Sequence, residues 1–228
     1  MTSIADIKAM LDAITAPIYM GVVISAGVLH GSTGGQVEYQ FFHGWDVTLA
    51  HACDNSWGAF NLQLLAHIKG LSLDPSALSA VLNSIQLDDN HWSWLNKSLA
   101  FKGEQYRWFF LVAEGYPQAA CLIFHPKPSA FDGGGIFYIE YVAVAPWNRK
   151  NPMASRSFRG IGTLIVSLVS SYAVNALGLR PGYSLHALPK AIAFYETLGM
   201  QRFPYLDKDD LPYFELSFEK CNLIVAAK

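Results

Sequence analysis

Residues 136–146 read IFYIEYVAVAP, and residues 159–177 read RGIGTLIVSLVSSYAVNAL. The first run is aromatic and β-branched and stops at a proline, as a strand does. In the second, Gly160 and Gly162 stand where a loop enters a helix. Leu164, Ile165, Leu168, Val169, Tyr172, Ala173, Ala176 and Leu177 then follow at helical spacing, and Gly178 ends the helix. Backbone N–H groups at such a junction point outward, and the helix dipole favours an anion there. Glycine lets the backbone approach a phosphate closely. A dinucleotide fingerprint needs a third glycine at 165, where Ile165 stands, and the chain has no Gly-Lys-Ser/Thr loop. Dinucleotide and Walker-type ATP sites are therefore excluded.

Outward from this segment the pattern alternates. Upstream, Tyr106 to Ala113 and Ala119 to Phe124 are strand-like runs joined by Glu114-Gly115-Tyr116-Pro117, a hairpin signal. Phe131-Asp132-Gly133-Gly134-Gly135 makes a turn into the strand from Ile136 to Val144. Downstream come a short strand at Tyr183 to Ala187, a helix from Pro189 to Leu198 with Gly199 behind it, and strands at Arg202 to Tyr205 and Tyr213 to Phe218. The order β-β-β-α-β-α-β-β predicts an α/β protein with a mixed sheet and helices packed on it.

The first hundred residues read as mostly helical. Ser3-Ile4-Ala5-Asp6 has capping-box spacing ahead of Ile7, Met10, Leu11 and Ile14. Trp57, Phe60, Leu64 and Ile68 share a helical face ending at Gly70. Asp74-Pro75 opens a further helix through Leu78, Val81, Leu82 and Ile85, and Val37, Tyr39 and Phe41 alternate as a strand. The expected division is a helical region over 1–104 and a core over 105–228, packed as one compact unit.

Composition narrows the function classes. Of 228 residues, 52% are hydrophobic and 15% charged, which excludes extensive disorder. Sixteen Lys+Arg against eighteen Asp+Glu leave no basic surplus for a nucleic-acid backbone, so no nucleic-acid partner is expected. Cys53, Cys121 and Cys221 form no Cys-x-x-Cys pair, which points to free thiols in a reducing, cytoplasmic setting. No residue from Ala13 to Val37 carries a full charge, but Pro17, Gly21, Ser25 and Gly27 interrupt the run. Its leader, Met1 to Asp12, has two Asp and one Lys, wrong for a signal peptide. Tyr19 to Leu29 is expected to be a buried strand or hairpin arm, with a membrane or export segment as the second reading.

Val142-Ala143-Val144-Ala145-Pro146, Arg159-Gly160-Ile161-Gly162-Thr163-Leu164 and Ala191-Ile192-Ala193-Phe194-Tyr195-Glu196-Thr197-Leu198-Gly199-Met200 together resemble the GCN5-related N-acetyltransferase (GNAT) superfamily. The resemblance covers about Tyr106 to Phe218. It implies acetyl-CoA as co-substrate, with its pyrophosphate on the amides of Arg159, Gly160, Ile161, Gly162 and Thr163. The pantetheine would pair with the backbone around Val142, Ala143 and Val144, and Phe194 would join the cofactor-binding set. Three positions depart from the family pattern. Ser157 stands at the first loop position, the loop after Pro146 is longer by about eight residues if Arg149 is aligned as the family's arginine, and Leu188 replaces a frequent asparagine.

The implied chemistry is acetyl transfer to a primary amine by direct attack in a ternary complex. Tyr195 matches the family tyrosine that protonates the departing thiolate, or it is a packing tyrosine with one wet edge. Glu140 shares a strand face with Tyr138, Val142 and Val144 by alternation, and burial there raises a carboxylate's pKa. It is the candidate general base, with a salt-bridged or edge-exposed glutamate as the alternative. The Val142 amide is a candidate oxyanion donor. His186 is either a proton relay or a structural histidine. Tyr213 and Glu215 lie on the final hairpin, which lines acceptor sites in the family. Trp45, Trp57, Trp92, Trp94 and Trp108 are either acceptor-pocket walls or core. Arg149, Lys150, Arg156 and Arg159 suit the 3′-phosphate of coenzyme A or form a solvated loop. No metal is expected, since His91 lacks a second ligand at metal spacing. A small-molecule or peptide amine is the expected acceptor, and a homodimer is an open expectation. The alternative function is a non-catalytic acyl-CoA-binding or structural module on the same fold.

Overall fold

The computed structural model describes residues 3–14 and 19–226. Pro17, one of the breaks in the uncharged run, lies outside the described residues. In chain order the elements are α1 (Ile4–Asp12), β1 (Val22–His30), β2 (Gln36–His43), α2 (Val47–Gly70), α3 (Pro75–Ser84), α4 (Trp94–Ala100), β3 (Tyr106–Ala113), β4 (Tyr116–Pro128) and β5 (Gly135–Val144). They continue with α5 (Ile161–Asn175), β6 (Tyr183–His186), α6 (Ile192–Thr197), β7 (Gln201–Arg202), β8 (Tyr213–Leu216) and α7 (Phe218–Ala226). The strands form a mixed sheet in the order β1-β2-β3-β4-β5-β6-β8-β7. The expected α/β class and mixed sheet are therefore observed.

The chain divides into two compact units. One comprises Met1–Lys102, Trp108–Ala120 and Val144–Ile161, and the other Gly103–Arg107, Cys121–Ala143 and Gly162–Lys228. In the first unit the capping box of α1 closes: the Ser3 hydroxyl accepts the Asp6 N–H at 3.1 Å and the Asp6 carboxylate accepts the Ser3 N–H at 2.8 Å. The α2 helix begins at Val47, ten residues before the expected apolar face at Trp57, because the Asp46 carboxylate caps it by accepting the Leu49 N–H at 2.9 Å. Its other oxygen accepts the N–H groups of Met20 and Gly21 at 2.6 and 3.0 Å. This fully buried carboxylate thus caps a helix and fixes the approach to β1. Asp54 of α2 does the same for α4, accepting the N–H groups of Trp94 and Leu95 and the Ser93 hydroxyl.

One expectation for this unit needs correction. The two strands expected among the helices of the first hundred residues are present as β1 and β2, an antiparallel hairpin that joins the sheet. The strand expected at Tyr19 to Leu29 exists, but it is not buried. It is the terminal strand, and Val22, Val23, Ile24 and Val28 are exposed while Leu29 is buried. An apolar sequence sets strand propensity; position in the sheet sets burial. Among the described residues no helix is long and apolar enough to cross a membrane.

In the second unit β5 and β6 pair in parallel, with Phe137 opposite Tyr183, Tyr138 opposite Ser184 and Ile139 opposite Leu185. β8 then pairs antiparallel with β6 and with β7. Cys121, Phe137, Ile139, Ile165, Tyr183 and Phe214 are buried here. The chain's end differs from the expectation. β8 stops at Leu216, and Phe218 opens α7, with the Ser217 carbonyl accepting the Cys221 N–H. The expected strand at Arg202 to Tyr205 is short, because Pro204 starts a 3-10 turn.

The Tyr183 ring stacks on Phe137 at 5.3 Å between centroids, and its hydroxyl is buried with no hydrogen-bond partner among the described residues. A buried hydroxyl without a partner costs about 1–3 kcal/mol in desolvation. Tyr183→Phe keeps the ring and removes that cost, so unfolding by denaturant should show unchanged or higher stability, by about 1 kcal/mol. A clear loss would mean that the hydroxyl has a partner.

Candidate active site

The parallel ladder between β5 and β6 ends at Ile139 and Leu185, while β5 continues through Glu140, Tyr141, Val142 and Ala143 to Val144. His186, the last residue of β6, pairs with Tyr213 of β8 on its other side. Alternation along β5 puts Tyr138, Glu140 and Val142 on one face, all partly exposed, where the ladder opens.

Beside that opening the Tyr138 hydroxyl lies 2.6 Å from Nδ1 of His186, and Nε2 of His186 lies 2.9 Å from the Leu206 carbonyl. A carbonyl only accepts, so Nε2 carries the imidazole proton. Nδ1 is then a lone pair that accepts the phenol proton. The rings of Tyr138 and Tyr213 flank His186 edge-on, with centroids at 5.7 and 5.2 Å. The Lys127 ammonium of β4 sits 4.4 Å from the Tyr138 ring centroid and 5.4 Å from that of Tyr213, in cation–π range.

Burial dominates the electrostatics. It raises the Glu140 carboxyl above the ordinary glutamate range, and the charges of Lys127 and Lys208 pull it only part of the way back. Burial also lowers Lys127, against the pull of Glu140 and Glu215. The Tyr138 phenol is raised by burial and then by the Glu140 charge, and burial pushes Tyr213 up to about 12. Both phenols are therefore held neutral and can donate but not carry charge.

Glu215 resolves differently. It is buried, and its oxygens accept the Ser129 hydroxyl, the Ala130 N–H at 2.9 Å and the Tyr213 hydroxyl at 3.1 Å. Its carboxylate is filled by internal donors, so it ties the loop after β4 to β8. Tyr195, on α6, is also buried, with its ring 5.2 Å from Phe194 and 6.4 Å from Phe214. Burial, with Cys121 nearby, raises its phenol. Phe194 remains partly exposed. Leu188 offers no side-chain cap to the 3-10 turn at Pro189–Ala191.

The glycine loop has the expected form. Gly160 adopts φ +74°, a conformation that disfavours other residues, and α5 starts at the next residue. In the first unit Lys150, Arg156 and Arg159 line a recess of about 620 Å³ with Asn151 and Ser155. None of these cations forms a salt bridge among the described residues. Arg149 is a correction to the expected basic patch. Its guanidinium makes two 2.6 Å bonds to Asp89 and one of 2.7 Å to the Val144 carbonyl, so its charge is spent on internal partners. Of the tryptophans, Trp57, Trp94 and Trp108 are buried in the core, and Trp57 and Trp94 also line, with Trp92, a recess of about 220 Å³ in the first unit. Among the described residues no cluster of three or more His, Cys, Asp or Glu could hold a metal.

Sequence reasoning found Glu140 by alternation but left His186 open between relay and structure. The Tyr138 contact depends on β5–β6 register, which no local pattern encodes. Lys127 was missed altogether; its only signal was a lone lysine at the end of an apolar strand.

No protein-family model and no curated protein matches the chain. The solved structures it resembles include GNAT acetyltransferases. The GNAT domain of S. lividans PAT matches at 8% identity over 84% of this chain and 96% of that one, with a TM-score of 0.48. Campylobacter jejuni N-acetyltransferase PseH in complex with acetyl coenzyme A matches at 14% identity over 64% and 93%, with a TM-score of 0.36. A KacTA–DNA complex matches at 17% identity over 57% and 79%, with a TM-score of 0.42. At these values the functional reading rests on the chain's own geometry.

Because the native state holds the Glu140 proton to higher pH than the unfolded chain does, native stability falls as pH rises from the ordinary glutamate range through the native titration. Glu140→Gln removes that loss. Thermal melts of both proteins should therefore show the variant gaining on the wild type as pH rises from acid to neutral. A difference independent of pH would remove the burial argument.

Proposed function

We propose that the chain is an acyl-CoA-dependent acyltransferase that moves an acetyl group to a primary amine by direct attack. The observation that carries this reading is the open end of the β5–β6 ladder, with Glu140 and Val142 lining it and the Tyr138–His186 pair beside it. Backbone groups of β5 beyond Ile139 are free of β6 and can pair with an extended pantetheine arm. The Gly160 turn, the start of α5 and the cations Lys150, Arg156 and Arg159 suit the phosphates of coenzyme A.

Each residue has a defined task. Glu140 takes one proton from the acceptor's ammonium group, directly or through water; its raised pKa matches such a base to neutral pH. The freed nitrogen bonds to the thioester carbon, and the Val142 N–H donates to the oxygen as it gains charge. The nitrogen of the tetrahedral adduct, now positively charged, releases its second proton to water; the C–S bond breaks, and Tyr195, held neutral by burial, gives its proton to the thiolate. The Tyr195 hydroxyl recovers a proton from solvent. Holding amine and thioester together supplies much of the rate, up to roughly 7–11 kcal/mol in well-oriented cases. A small-molecule or peptide amine is the acceptor class.

A second reading, an acyl-CoA-binding module without catalysis, gains from Leu188 in place of a polar cap and from the engagement of Arg149 with Asp89. Thermal unfolding with acetyl-CoA and with free CoA tests the shared part. Ligand at about 100-fold over its Kd adds roughly 2.7 kcal/mol, so the midpoint should rise and saturate. No rise at saturating ligand rejects both readings. With an acceptor found by screening amines, Glu140→Gln should lower kcat by about 10²–10⁴-fold while the acetyl-CoA shift persists. A variant with undiminished turnover assigns the base elsewhere.

A further inference from the structure

Among the charges around the Tyr138–His186 pair, Lys127 stands without a counter-ion in contact. Its ammonium forms no salt bridge or hydrogen bond among the described residues. The nearby carboxylates are committed or out of reach. Glu215 is filled by the Ser129 hydroxyl, the Ala130 N–H and the Tyr213 hydroxyl. Asp207 accepts the Arg202 guanidinium on one oxygen and the Tyr213 N–H on the other. Glu140 feels the Lys127 charge but does not close on it.

The position of Lys127 is nonetheless held. It stands between Pro126 and Pro128 near the end of β4, where proline rings restrict the backbone on both sides. Its ammonium lies 4.4 Å from the Tyr138 ring centroid and 5.4 Å from that of Tyr213. The rings attract the charge but offer no lone pair to its three N–H groups. An ammonium drawn partly out of water without an acceptor is costly. The two phenols cannot donate to an incoming anion in its place, because the Tyr138 proton goes to His186 and the Tyr213 proton to Glu215. Tyr138 and Glu140 share a face of β5 two residues apart, a step of about 7 Å along a strand. A cation over the first position and a carboxylate on the second, not closed on each other, leave room for a molecule that carries both signs.

We propose that the acceptor is a free amino acid, or another small amine with its own carboxylate, bound with its ammonium at Glu140 and its carboxylate on Lys127. The inference rests on the acyl-transfer reading and names the acceptor class of that same site. Lys127 sets the specificity. A peptide N-terminus has an amide where the carboxylate must be. A polyamine would bring a second cation towards Lys127 and Lys208, whose charges both act at Glu140. The C–N bond forms and the C–S bond breaks, giving an N-acetylamino acid and free CoA, and the carboxylate takes no part in either step.

Acetyl transfer to free amino acids, to their α-amides and to the matching decarboxylated amines tests the proposal, with acetyl-CoA thermal shifts measured alongside. The wild type should prefer the free acid by about ten- to hundredfold in kcat/KM, mainly through KM, the weight of one charge-assisted hydrogen bond. Lys127→Met should bring that ratio close to one, and Lys127→Arg should keep most of it, while both retain the acetyl-CoA shift. A wild type that uses the amides or decarboxylated amines as well as the acids overturns the proposal and leaves acyl transfer standing. So does a preference that survives Lys127→Met, or a wild type that acetylates none of the acids but does acetylate other amines. Absence of the acetyl-CoA shift in the wild type overturns both readings.

Discussion

Parallel pairing between β5 and β6 runs from Phe137 to Ile139, and the side chains presented beside the opening depend on where it stops. Side chains alternate along a strand, so the register decides which residues reach the face beside the opening. With Tyr138 opposite Ser184, His186 lies two residues further along the same face of β6. The phenol can then span to the imidazole. A slip of one residue would present Phe137 and Ile139 instead. The Leu206 carbonyl completes the arrangement by fixing the imidazole tautomer from the opposite side.

Charge around the Tyr138–His186 pair is opposed. Lys127, Glu140 and Glu215 are all withdrawn to some degree from water, one cation set against two carboxylates. Glu215 is fully supplied with donors. Glu140 relies on the distant fields of Lys127 and Lys208, which do not offset its burial. A group left in an unfavourable ionisation state by its surroundings is a better candidate for proton transfer than one that is satisfied.

Much of the fold could be read from local patterns. The strand from Ile136 to Val144, the helix after Gly160 and the helix ending at Gly199 each combine a clear period with a clear stop signal. What escaped was set by distant partners. α4 is capped by Asp54, about forty residues earlier, and its sequence is too short and mixed to stand out. Phe218, which opens α7, is expected as the end of a strand because Tyr213 to Phe218 is largely aromatic and apolar, and only the cap at Ser217 divides the run. The exposure of β1 followed from its place at the rim, which composition does not record. In the site, Glu140 was legible because alternation is local. The engagement of Arg149 was not, because Asp89 lies sixty residues away.

Glu215 has a consequence for how related sequences should be compared. Its carboxylate meets three donors at once, two from the loop after β4 and one from its own strand. Glutamine would turn an amide donor towards one of them, and aspartate would be too short to reach all three. Evolution should therefore hold this position nearly fixed although it performs no chemistry. An alignment of homologues would rank it with Glu140, and invariance alone would not separate a carboxylate proposed to move a proton from one that braces.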